Sequence, residues 1–65
     1  MTKSQFQNAL TQLKYTQKDM AVALGISLKS VNDYANGASI PKSVANHVQL
    51  LVNLSELLVD AGNGL

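Results

Sequence analysis

The chain has 65 residues and a mass of 6.9 kDa, the size of one small domain. A domain this short buries only about 60% of the surface its unfolded form exposes, so its core is marginal. With no cysteine and one histidine, a disulfide framework and a thiolate metal site are excluded, while 46% apolar content excludes a disordered chain. A net charge of +1 says little about partners, and no apolar run approaches the length of a membrane-spanning helix.

High aliphatic and only 5% aromatic content favour a helical bundle over a small β-barrel. The first helix is expected to start near Ser4, because Phe6, Leu10 and Leu13 follow at spacings of four and three and share one face. Thr16-Gln17-Lys18-Asp19 has the form of a capping box and opens a second, two-turn helix with Met20, Ala21 and Leu24 as its buried stripe. Gly25 stands where that helix needs a left-handed residue to end. Ser27 caps a third helix from Leu28 to about Ala35, with Val31 and Tyr34 on one face, and Asn36-Gly37 ends it. Only Gly25, Ile26 and Ser27 separate these two helices, so they must cross steeply, as a helix-turn-helix over about residues 17–35.

Pro41 is expected at the first position of the last helix, where its missing N–H has no partner to lose. The run to Ala61 shows two apolar faces, one of Val44, Val48 and Leu51 and another of Leu50, Leu54, Leu57 and Leu58. Asn53-Leu54-Ser55-Glu56 repeats the capping-box form, so the segment is either one long helix or two helices restarting at Asn53. The expected core is Phe6, Leu10, Leu13, Met20, Leu24, Ile26, Val31, Val44, Val48 and Leu51. The fold class is all-α, with four or five helices in one domain over residues 1–65, and residues 41–60 also serve dimerisation. Four large aliphatics left in water would forgo about 1.5–3 kcal/mol for each one fully buried, which makes Leu50, Leu54, Leu57 and Leu58, with His47 beside them, the expected dimer interface.

The charge is uneven. Lys3, Lys14, Lys18 and Lys29 face only Asp19 in the first half, whereas Lys42 faces Asp33, Glu56 and Asp60 in the second. A basic half can meet a polyanion, although scattered solubilising lysines give the same count.

The string Thr16-Gln17-Lys18-Asp19-Met20-Ala21-Val22-Ala23-Leu24-Gly25-Ile26-Ser27, followed by Val31, Tyr34, Asn36-Gly37 and Ile40-Pro41, resembles the Cro/Xre-type helix-turn-helix regulators of phages and bacteria. The resemblance covers residues 6 to about 52. Its brevity is similar to that of short autoregulators of phage operons, including those that accompany anti-CRISPR genes. Two departures are visible. Relatives carry Trp or another large aromatic, often followed by Glu, where Tyr34-Ala35 stands, and arginine is absent, so guanine cannot be read by a bidentate Arg.

What the resemblance implies is a dimeric repressor or autorepressor on an inverted-repeat operator in double-stranded DNA. It also implies no cofactor and a cytoplasmic place at the nucleoid of a bacterial host. Gln17 would touch a phosphate, so its truncation would weaken binding without changing the preferred sequence. Leu28, Lys29 and Asn32 would enter the major groove at the start of the third helix. Asn32 can bond adenine N6 and N7, Lys29 can reach guanine or a phosphate, and Leu28 can pack on a thymine methyl or staple the turn. The hydroxyls of Ser27 and Ser30, together with Asn36 and Lys42, are expected at phosphates. Asp33 either accepts from a cytosine amine or restricts which sequences are tolerated. An enzyme has no support, since His47 has neither a nucleophile nor an acid partner. The alternative is a protein–protein module, an adaptor or antitoxin that uses residues 44–60 on the same scaffold.

Overall fold

The computed structural model describes the backbone of residues 1–63 and the side chains of residues 1–57. Among the described residues the chain is all-helical: α1 (Lys3–Leu13), α2 (Gln17–Leu24), α3 (Leu28–Ala35) and α4 (Lys42–Asn63).

Each of the first three helices starts on a side-chain cap. Thr2 Oγ1 accepts from the Gln5 N–H at 3.1 Å while Gln5 Oε1 accepts from the Thr2 N–H at 2.9 Å, which starts α1 at Lys3, one residue before the expected point. Thr16 and Asp19 make the same reciprocal pair at 3.1 and 3.0 Å, and Ser27 Oγ accepts from the Ser30 N–H at 3.1 Å. Each contact supplies a partner to an amide that the helix itself leaves unpaired. Gly25 ends α2 at φ 68°, with nothing within 4 Å of where a Cβ would stand, so the backbone conformation demands glycine there and the available space does not.

The core lies among the four helices, with α1 and α2 each packed against α3 and α4. Phe6, Met20, Val31 and Val48 are fully buried, joined by Ala9, Ala21, Ala35 and Val52. Leu10, Leu13, Leu24, Ile26, Tyr34, Val44 and Leu51 pack around them, half-buried. The Phe6 and Tyr34 rings meet edge to face at 5.9 Å and 74°. The small residues Ala9, Ala21 and Ala35 mark where helices approach closely, and Ala9, Ala35 and Val52 extend the core beyond the residues expected of it.

One expectation about α4 needs correction, and one open alternative is settled. Pro41 precedes the helix, and its carbonyl accepts the Ala45 N–H at 2.9 Å, so it occupies the cap position one residue earlier than expected. The helix is continuous through Asn53, the long-helix alternative, and does not restart at that residue. A restart needs a terminator for the preceding turn, and Gln49-Leu50-Leu51-Val52 contains neither Gly nor Pro. The Asn53 Oδ1 accepts from Gln49 Nε2 at 3.0 Å, one turn back, and does not cap the Glu56 end. Glu56 instead accepts from Gln12 Nε2 at 2.6 Å, tying α4 to the last turn of α1. No helix among the described residues is long and apolar enough to cross a membrane.

Candidate nucleic-acid interface

α2 and α3 are joined by three residues whose backbone closes the turn. The Gly25 N–H reaches the Val22 carbonyl at 3.2 Å and the Ile26 N–H the Ala21 carbonyl at 3.1 Å. Half-buried Ile26 and buried Val31 pin the start of α3 against α2. With Val31 and Ala35 turned into the core, helical periodicity turns Lys29, Asn32 and Asp33 outward, and all three are exposed, as is Leu28 at the first position of the helix. Leu28 is 51% exposed, so half of its surface remains for a partner even as it borders the turn.

The serines divide their work. Ser27 Oγ accepts the Ser30 amide and donates its own hydrogen to Ser30 Oγ at 3.0 Å. That leaves the Ser30 hydroxyl hydrogen as the one able to donate to a bound anion.

A chain of amides crosses from α2 to the end of α3. Asn32 Nδ2 donates to Gln17 Oε1 at 3.1 Å, and Asn36 Nδ2 donates to Asn32 Oδ1 at 3.1 Å. Gln17 is half-buried at the start of α2, whereas Asn32 and Asn36 are exposed. Gln17, Asn32 and Asn36 thus form one continuous polar edge. Sequence reading gave Gln17 and Asn32 separate roles because fifteen residues separate them and nothing local signals the pair.

Lys42 is exposed at the first position of α4, beyond the loop that follows α3. Lys3 was not singled out from the sequence, yet its stem runs beside this same loop. Its Cδ lies 3.7 Å from where a Cβ on Gly37 would stand. One turn on, Gln7 Nε2 donates to the Ala35 carbonyl at 2.6 Å. The i, i+4 spacing of Lys3 and Gln7 was the available signal. Lys3, Lys29 and Lys42 therefore supply cations at both ends of α3.

The residues expected at a dimer contact lie elsewhere. His47, Leu50, Leu54 and Leu57 are all exposed on α4, the three leucines by 54%, 48% and 64%. Their spacing of three, four and three places them on one stripe of the helix. Leu58 lies outside the described side chains. Among the described residues, no three His, Asp or Glu side chains stand together where they could hold a metal ion.

Compared with known proteins, residues 6–44 match a family model described as helix-turn-helix. No curated protein and no solved structure matches the chain.

Proposed function

The chain belongs to the helix-turn-helix family of Cro/Xre-type DNA-binding regulators, and on that premise we propose that it is a sequence-specific repressor, an autorepressor of its own operon, that binds an inverted-repeat operator as a homodimer. The observation that carries this reading is the outward face of α3, where Leu28, Lys29 and Asn32 stand exposed beside the capped helix starts at Thr16 and Ser27. A two-turn helix held by its buried side fits a major groove, and its first residues meet the base edges. Gln17, Ser30, Asn36 and Lys42 surround that face as donors for phosphates, with Ser27 orienting the Ser30 hydroxyl.

In this reading residues 1–65 act as one DNA-binding domain, and residues 41–60 also join two copies through His47, Leu50, Leu54, Leu57 and Leu58. Pairing identical stripes about a two-fold axis sets two α3 helices about 34 Å apart on one side of the duplex. Repression by occluding polymerase needs nothing of the protein beyond occupancy of the operator, and no effector or cofactor enters. The exposed leucines of α4 also suit a second reading, a partner protein held by an adaptor or antitoxin.

A gel-shift titration on the DNA flanking the chain's own gene separates the two. If Lys3, Lys29 and Lys42 of each protomer neutralise phosphates, the dimer covers about six, and the log–log salt slope is about −5. Affinity then falls roughly 10³-fold between 50 and 200 mM salt. An affinity that is flat across that range supports the adaptor.

A further inference from the structure

We infer that Lys14 is a DNA-backbone contact, held at the junction of α1 and α2 at a cost in stability. This contact rests on the reading of the chain as a DNA-binding regulator and adds one phosphate per half-site to it.

α1 and α2 end in the same way. The Lys14 N–H bonds the Thr11 carbonyl at 3.1 Å and the Tyr15 N–H the Leu10 carbonyl at 2.9 Å, just as the Gly25 and Ile26 N–H groups bond the Val22 and Ala21 carbonyls. The terminating residue is left-handed in both, at φ 59° and ψ 36° for Lys14 and φ 68° and ψ 32° for Gly25. Glycine adopts this conformation freely, whereas a Cβ crowds the following carbonyl oxygen. Among the described residues, Lys14 is the only non-glycine residue with a positive φ. The chain therefore carries a lysine where the backbone asks for glycine.

The fold returns little for that strain. Lys14 is exposed, so no packing holds it. Asp19 lines the same shallow hollow, but its Oδ2 accepts from the Thr16 N–H at 3.0 Å, and an exposed ion pair adds little. A strained residue that its own surroundings do not repay points to function. What lysine supplies here is a positive charge at the entry to α2, three residues before Gln17 and so within about 11 Å of chain. Gln17 is itself set beside the outward face of α3 through its bond to Asn32. A duplex seated on α3 brings its backbone past this junction, where the Lys14 ammonium meets a phosphate. Such a contact fixes position and affinity without reading sequence.

With Lys14 counted beside Lys3, Lys29 and Lys42, a dimer neutralises about eight phosphates, and the log–log salt slope steepens from about −5 to about −7. Wild type, Lys14→Gly and Lys14→Gln are titrated with salt on the duplex flanking the chain's own gene, and each is melted. Lys14→Gly should melt roughly 2–8 °C higher, because relief of the left-handed strain outweighs the freedom glycine gives the unfolded chain. It should nevertheless bind about 10- to 100-fold more weakly at 0.1 M salt, with the slope reduced by about 2. Lys14→Gln keeps the strain and loses the charge, so it should show the same loss of slope without the gain in stability. Base preference should be that of wild type in both variants. A Lys14→Gly protein that melts no higher than wild type overturns the claim that the lysine is held at a cost. One that melts higher but keeps the wild-type slope overturns the phosphate contact and leaves the regulator reading intact. Wild-type binding that is flat in salt overturns that reading and this contact with it.

Discussion

Replacing Leu50 and Leu54 together with aspartate is expected to leave a folded monomer that no longer holds an inverted-repeat site. Both side chains are already about half exposed in the single chain, at 54% and 48%, and neither belongs to the core cluster, so the fold loses little. The proposed dimer loses much more. Full burial of a large aliphatic side chain is worth about 1.5–3 kcal/mol, so the remaining half of each contributes about 0.7–1.5 kcal/mol. A two-fold axis makes each substitution count twice, which gives a loss of about 3–6 kcal/mol before any repulsion between the new charges. Dimer affinity falls by about 10²- to 10⁴-fold. Sedimentation shows the change of mass, circular dichroism shows that the helices persist, and a gel shift shows the loss of binding. A double variant that remains dimeric places the interface elsewhere.

Phe6→Ala is expected to unfold most of the chain at physiological temperature. Phe6 has no exposed surface and packs edge-on against Tyr34, at the junction of α1 and α3. Truncating a buried phenylalanine to alanine costs about 3–5 kcal/mol, the lost transfer energy plus the cavity left behind. A 65-residue domain has only about 3–10 kcal/mol in all. Thermal denaturation should show a midpoint lowered by roughly 15–30 °C, at about 4–8 °C per kcal/mol. Val22→Ala is the control: Val22 is 77% exposed, and its truncation should change stability by no more than about 0.5 kcal/mol. A Phe6→Ala protein as stable as that control contradicts the packing described for α1.

Much of the fold is legible in the sequence because its signals are local. The capping box at Thr16, the left-handed Gly25 and the Ser27 cap place α2 and α3 within four residues of each boundary's chemistry, and α3 runs over Leu28–Ala35 as its caps imply. The segment after Pro41 was less legible for the same reason. Asn53 carries a local signal identical in form to the one at Thr16, but a cap works only where the preceding turn ends, and four helix-compatible residues carry α4 through it. The core alanines are likewise silent in sequence, since a methyl group becomes informative only once the facing helix is known.

The proposed DNA-binding face divides along the same line. The period of α3 and its buried Val31 already put Lys29, Asn32 and Asp33 outward. The link from Gln17 to Asn32 and Asn36 spans two helices and depends on their crossing angle, so residue types alone assign Gln17 to phosphate and stop there. Lys3 reaches the loop after α3 because α1 folds back across it, a contact between residues 34 positions apart.

The exposed face of α3 is proposed to read DNA sequence as one half of a symmetric pair. Selection of bound duplexes from a random pool by the purified protein measures this directly. The expected result is enrichment of an inverted repeat whose half-site centres lie one helical turn, about 10 base pairs, apart, and loss of one base-pair preference in each half when Asn32→Ala is used. A pool that stays random after repeated selection, or that yields no repeated half-site, contradicts it.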